Sequence, residues 1–383
     1  MNIRHLRSLA SVGIICLFFG NFQLKAQGCV AIRGFSSCSG NIGSGANLGK
    51  GEILIGSNFR YFESFRHFRG NEEEENRVKE GTQVINDSYF LDLTFNYGIT
   101  DRFYANLVVP FVSHNRSSMY EHGGNPPNGL GERHTTKSSG LSDIRIGAGY
   151  WLFKPGGKPF NYALGVGIKF PTGSYDYTDT FQNQGPNRDT TVEAVVDQSI
   201  QPGDGGYGFN LDFQGYHALS DSFMLTTTLY YLFNPMKTNG VLTRNGNSEF
   251  SVPDQFAALL GTLFYPKVNG LSFYLGGRVE GVPSSDIIGS SEGYRRPGYA
   301  ISVDPGINYS IRNFTMSLNI PIAVERNRIQ SYSDKERTRN TGVFTQGDAA
   351  FADYTINFNL SYRIGKKKEI DIHPTMEEII ITE

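Results

Sequence analysis

From residue 51 onward this chain keeps a period of two, and that period belongs to β-strands with two unlike faces. Residues 87–99 show it most plainly. Tyr89, Leu91, Leu93, Phe95, Tyr97 and Ile99 fall on one face, and Ser88, Phe90, Asp92, Thr94, Asn96 and Gly98 fall on the other. The alternation recurs over 53–61, 103–111, 144–150, 160–168, 207–219, 223–233, 271–279, 299–309, 314–324 and 354–364. Residues 255–265 alternate poorly and are assigned as a strand from their position. The total is about twelve strands, each near the ~9–11 residues that cross a bilayer at a tilt.

The connections alternate in length. Short ones lie at 100–101, 154–159, 220–221, 266–270 and 311–313; long ones lie near 66–86, 113–139, 174–205, 234–253, 284–297 and 326–350. Outer-membrane barrels have this asymmetry, with short periplasmic turns and long extracellular loops. A weak repeat marks the short turns: an aromatic, a tight polar turn and a second aromatic recur at Tyr97–Phe103, Tyr216–Phe223 and Tyr309–Phe314. A soluble β-sandwich also alternates, but it needs its inner face dry. Here aromatics sit at the ends of the apolar face, while the opposite face is rich in Asp, Asn, Thr and Gly. With 13% aromatic residues, 45 glycines and a mean hydropathy of -0.32, the chain is too polar for a bundle of membrane helices and suits an antiparallel up-and-down transmembrane barrel. A net charge of -2 offers no basis for a nucleic-acid partner.

Arg4 and Arg7 precede a short apolar core at 9–19, and Leu24-Lys25-Ala26 forms a cleavage site before Gln27. This is the anatomy of a secretory signal. The expected organisation is a signal peptide at 1–26, a Gly/Ser-rich periplasmic leader at 27–50, the barrel at 51–365 and a periplasmic tail at 366–383. Cys29 and Cys38 read as a local disulfide, with lipid attachment at Cys29 as the alternative. Lys366, Lys367 and Lys368 fall where headgroups would be met. The expected location is the outer membrane of a Gram-negative cell, with its lipid as a partner.

Gly140-Leu141-Ser142-Asp143-Ile144-Arg145-Ile146-Gly147 and Lys169-Phe170-Pro171-Thr172-Gly173 resemble two adjacent strands of the outer-membrane transporters named after the meta pathway of phenol degradation, similar in style to the long-chain fatty-acid transporters. The resemblance implies uptake of small molecules, hydrophobic and aromatic ones among them. It carries over no binding residue.

The polar face supplies the candidate lumen lining: Arg60, Asp92, Asp143, Arg145, Lys169, Asp212, Arg278, Glu280, Asp304, Glu325, Asp353 and Arg363. These charges are read either as cross-strand ion pairs that fill the barrel or as a polar path for a solute. About 12 strands at ~4.8 Å spacing and ~40° tilt give a barrel roughly 24 Å across, leaving about 10 Å or less between side chains. No catalytic, cofactor or metal site is expected. The seven histidines lack ligand spacing. His114 with Ser117 and Ser118 is the nearest approach to a catalytic group, and residues 175–179 lack the Gly and closing Glu of a calcium loop. Glu72 to Glu75 read as a solvated loop tip. The first expectation is a channel admitting small molecules by passive or facilitated diffusion. The rival is a structural or adhesive barrel with a closed lumen and functional loops.

Overall fold

The computed structural model describes residues 47–124, 132–154 and 156–365. The signal segment, Cys29, Cys38 and the tail at 366–383 lie outside them. Alternating sequences pair with their chain neighbours through short turns, and this one closes on itself. The strands are β1 (Ile53–Arg69), β2 (Ile85–Gly98), β3 (Phe103–Ser118), β4 in two segments (His134–Leu141 and Arg145–Trp151), β5 (Phe160–Lys169) and β6 (Gly208–Ser220). They continue as β7 (Phe223–Phe233), β8 (Gln255–Phe264), β9 (Leu271–Val282) and β10 (Gly298–Ile311). The last two are also split: β11 (Phe314–Asn319 and Ile322–Asn327) and β12 (Ala349–Ala352 and Ile356–Ile364). Each strand pairs antiparallel with the next, and β1 pairs with β12 from Ile53↔Ile364 to Tyr61↔Ile356, closing a twelve-stranded barrel. Closure leaves no strand edge unpaired, which the hydrocarbon core of a membrane demands.

The alternation sets the faces as expected. On β5, Leu164, Val166 and Ile168 are 64%, 58% and 51% exposed, while Asn161, Ala163 and Lys169 are buried. The poorly alternating β8 keeps the same geometry. Phe256, Ala258, Leu260 and Thr262 face out, and Gln255, Ala257, Leu259 and Leu263 face in.

Two of the breaks have one cause. Proline has no N–H for the ladder. Opposite Pro110 on β3, the fourth strand breaks at 142–144, and Ser142 N–H turns to the Pro110 carbonyl at 2.8 Å. Opposite Pro305 on β10, β11 breaks at 320–321, and Ile320 N–H bonds the Pro305 carbonyl at 3.0 Å.

All five short turns lie at one end of the barrel and the six long connections at the other. Strands extend past the alternating segments at the long-loop end, as in β1 and β3, so the loops are shorter than the sequence pattern indicated. Two loops carry hairpins, Thr178–Gln184 with Thr190–Val195 and Thr238–Leu242 with Glu249–Ser251. A third carries helix α1 (Tyr332–Thr341). Its start is a capping box, with Asp334 N–H donating to Ser331 Oγ (3.1 Å) and Ser331 N–H to Asp334 Oδ2 (2.9 Å). It ends at Gly342, φ 70°, where a left-handed residue favours glycine.

Candidate functional site

Inside the barrel the charged residues of the polar face come together in groups. Arg60 of β1 donates from Nη2 to Glu280 Oε1 of β9 at 2.7 Å, and Arg278 donates to the other oxygen of Glu280 at 2.8 Å. Asp304 accepts from Asn319 (3.0 Å), Asp212 accepts from Asn210 (2.9 Å), and Asp92 faces Arg145 at 4.0 Å. Near the short-turn end, Arg363 pairs with Glu52 at 2.7 Å. Asp353, in the break of β12, pairs with Arg66 at 3.1 Å. Lys169 pairs with Asp204 and reaches Asp143 at 3.9 Å.

One candidate is misplaced. Glu325 is exposed on the outer face, where Tyr299 Oη donates to it at 2.9 Å. A bulge in β11 opposite Ile301 and Ser302 sets two residues, Val324 and Glu325, outward in succession. Arg326, buried and aligned with inward Ala300, takes the place assigned to Glu325. A bulge inserts one residue and so reverses the parity beyond it.

The sequence pattern missed the apolar part of the inner wall. Tyr230, Leu232, Ala257 and Leu259 pack together on β7 and β8, and Met224, Leu263 and Tyr274 pack below them. Tyr104, Trp151 and Ala163 form a further cluster. The lumen lining therefore interleaves apolar, aromatic clusters with the charged groups: one on β7–β8, one on β3–β5 and a third, Phe62, Phe90, Val112 and Ala352, on β1–β3 and β12. The weak alternation of 255–265 was the signal: both faces of β8 are apolar.

The two motif segments of the sequence clasp each other. Asp143 Oδ1 accepts from Gly173 N–H (3.1 Å), Ile144 N–H donates to Thr172 Oγ1 (2.9 Å), and that hydroxyl donates to the Ser142 carbonyl (2.7 Å). Asp143 Oδ2 also accepts from Asp204 N–H at 3.1 Å. The break in β4 thus ties down both ends of the 170–207 loop. His114 lies on the inner face with Nδ1 3.1 Å from Ser88 Oγ, while Ser117 lies on the outer face. Asp179 accepts from Lys137 N–H at 2.6 Å, a bond that shapes the loop. Among the described residues, no three His, Cys, Asp or Glu side chains converge as metal ligands.

Beneath the long loops lies a cavity of about 490 Å³, walled by both hairpins, α1 and the 284–297 loop. Arginines and aromatic rings share its wall. Arg296 meets Asp197 with both terminal nitrogens (2.7 and 2.8 Å) and lies over Tyr294, 5.0 Å from the ring centre. Arg295 makes the same two-pronged pair with Asp286 (2.7 and 2.6 Å). Burial alone would raise the Asp197 carboxyl, yet Arg116 and Arg296 hold it well below the usual carboxylate range. A smaller space of about 70 Å³ shares Phe250, Arg295 and Arg296 with the first and reaches Gln255 and Val282 at the head of β8 and β9. Arg296 thus lines both spaces.

A family model described as "Putative MetA-pathway of phenol degradation" matches residues 73–333, more than half of the chain. Among solved structures, an outer membrane channel from Pseudomonas putida F1 aligns over 83% of this chain and 97% of its own, with 12% identity and a TM-score of 0.54. That establishes a shared fold. A P. putida toluene transporter aligns over 90% of this chain and 99% of its own at 12% identity, with a TM-score of 0.42. No curated protein sequence matches the chain.

Proposed function

The chain belongs to the family described as "Putative MetA-pathway of phenol degradation", and from that membership we propose that it is an outer-membrane channel for small solutes, hydrophobic and aromatic ones included. The observation that carries the reading is the mixed apolar and charged lining of the lumen. The apolar cluster of Leu232, Leu259 and Tyr230 lies among charged groups, and the smaller of the two loop spaces reaches the heads of β8 and β9. A planar solute with one polar group finds an apolar surface for its ring and hydrogen-bonding partners for its substituent on one descending path. Transport down a gradient needs no energy source, and moderate binding at successive points favours both entry and release. The exposed apolar bands on every strand support residence in lipid. Export by the signal segment at 1–26 belongs to the same proposal.

A second reading has one observation in its favour. The Arg60–Glu280 bond, joined by Arg278, links strands four places apart through the interior and narrows it at that level. A barrel closed there would act through its loops.

One experiment separates them. The refolded protein in a planar bilayer is expected to give discrete conductance steps, and liposomes containing it to swell faster in small neutral aromatic solutes than in sugars. Absence of both would leave the closed barrel.

A further inference from the structure

The loop cavity carries more positive charge than its own acids neutralise. Arg295 is matched by Asp286 and Arg328 by Asp334 (3.1 Å). Arg77 is matched by Asp348, while Arg116 takes Glu121 (2.7 Å) and, with Arg296, shares Asp197. Every wall carboxylate is thereby engaged. Arg244 and Arg337 remain, and neither has a carboxylate within ion-pair distance among the described residues. They reach the cavity from different loops, Arg244 from the turn of the Thr238–Leu242 hairpin and Arg337 from α1. Arg244 donates to the Gln184 side chain at 3.1 Å and lies over Phe181, 5.0 Å from the ring centre.

The rest of the wall mixes apolar side chains with Thr243, Asn245, Asn247, Ser248, Ser331 and Ser333. Val195 and Tyr294, both partly exposed, bring methyl groups and a ring to the wall beside the arginines, with Phe181, Val196 and Phe250 buried behind them. A volume near 490 Å³ lies within the roughly 300–1,000 Å³ of small-molecule sites. A guanidinium offers parallel N–H donors to a planar carboxylate and a flat cationic face to an aromatic ring. A tetrahedral or purely aliphatic anion would use the charge and leave the ring idle.

We infer that this cavity is a binding site for aromatic carboxylates, with the anionic group held between Arg244 and Arg337 and the ring laid against Val195 and Tyr294. The inference rests on the channel reading and names the solute class that the channel gathers at its mouth. Arg296, between the two cavities, is the next cation such an anion meets on its way inward.

The test is calorimetric titration of the folded, full-length mature protein in detergent with benzoate, and in parallel with phenol, acetate and inorganic phosphate. Saturable benzoate binding is expected, at least about tenfold tighter than any of the other three. The double variant Arg244→Gln/Arg337→Gln should lose at least about tenfold in benzoate affinity and change little toward phenol. Both side chains lie on loops outside the barrel's ion-pair groups, and an unchanged heat-modifiable gel band establishes that the variant folds. No saturable benzoate binding, equal binding of phenol or of acetate and phosphate, or undiminished binding by the variant would each overturn the inference. Planar-bilayer recordings on the same preparation keep the two readings apart. Conductance steps without benzoate binding leave the channel standing and remove the site; benzoate binding without conductance supports the site and removes the channel.

Discussion

Arg60 Nη2 donates to Glu280 Oε1 at 2.7 Å from a strand four places round the closed barrel, 220 residues away in sequence, with both side chains under 5% exposed. Their strands are not neighbours, so the bond is a chord through the lumen rather than a rung on the wall. Arg278 on the second carboxylate oxygen makes a triad in which a single acid serves two bases.

Removing one member of such a group leaves a buried charge uncompensated, at a cost of roughly 3–5 kcal/mol. Glu280→Gln, which takes the carboxylate from two buried arginines, is therefore expected to lower the urea midpoint of the folded protein by more than Arg60→Ala/Glu280→Ala, which takes it from Arg278 alone. If the chord narrows the path, the double variant should also raise unit conductance in planar bilayers. An unchanged conductance would place the constriction elsewhere.

Leu93 and Thr94 are one residue apart on β2 and face opposite ways. Leu93 stands on the outer face, and Thr94 points inward, its hydroxyl 2.6 Å from where a Cβ on Gly56 would lie. An arginine in the lipid-facing mid-strand position costs about 2–4 kcal/mol. Leu93→Arg should therefore weaken assembly into the heat-resistant form, whereas Thr94→Arg, able to reach Asp92 or water in the lumen, should assemble and alter conductance. A Leu93→Cys thiol in intact membranes should react with a lipid-soluble reagent and resist a water-soluble one. Strong labelling by the latter would end the membrane-barrel reading.

Eleven of the twelve strands were legible because each carries its own period, and a period needs no knowledge of distant residues; β8, apolar on both faces, was placed only by its neighbours. The Glu325 position failed because one bulge shifts parity and leaves no local mark. The breaks opposite Pro110 and Pro305 were hidden differently: the proline is visible in one strand, while its effect falls on the neighbour. The loop cavity was the least legible part. Arg244, Arg296 and Arg337 come from separate connections and meet only once the barrel has set the loop ends side by side.

His122 gives the loops a dependence on pH. Its ring is fully buried, accepts from Gln182 N–H at Nδ1 (3.0 Å) and stacks on Phe181, 5.5 Å between centres. Burial lowers its pKa below the ordinary imidazole value; His134 and Arg244 push the same way, against Glu121 and Asp179. The unfolded loop thus binds a proton at a higher pH than the folded one, so stability is full above about pH 6.5 and falls as the solution is acidified. Asp197, held below the usual carboxylate range, begins to lose its contribution only under more acid conditions. Limited proteolysis between pH 7.5 and 5.5 should therefore show increasing cleavage within 178–195, and His122→Phe should flatten that rise. A rise unaffected by His122→Phe would assign it to another group.

On β4 and β5 four inward glycines face each other in register, Gly147↔Gly167 and Gly149↔Gly165. The bare backbone they create is covered by side chains lying flat on the wall. A Cβ on Gly165 would stand 2.5 Å from Asp212 Oδ1, one on Gly167 2.5 Å from Asn210 Oδ1, and one on Gly149 against the hydroxyl end of the Tyr104 ring. The glycines thus let Asp212 and Tyr104 lie back from the centre of the barrel. An added methyl has different consequences at the two sites. Asp212 is short and can swing into the lumen, while the Tyr104 ring, buried beside Trp151 and Ala163 and bonded at its hydroxyl by Gln214 (2.8 Å), has little room to turn. Gly149→Ala is expected to destabilise by about 1–3 kcal/mol, the usual cost of overpacking. Gly165→Ala should cost less and instead reduce conductance, as Asp212 moves inward. Asp212→Ala in the Gly165→Ala background should restore conductance, whereas Tyr104→Ala beside Gly149→Ala should recover only part of the stability, because removing the ring leaves a cavity. Urea midpoints and single-channel recordings on the four variants read both effects. Equal loss of stability at Gly149 and Gly165, with conductance unchanged in both, would mean the glycines serve only the packing of the wall.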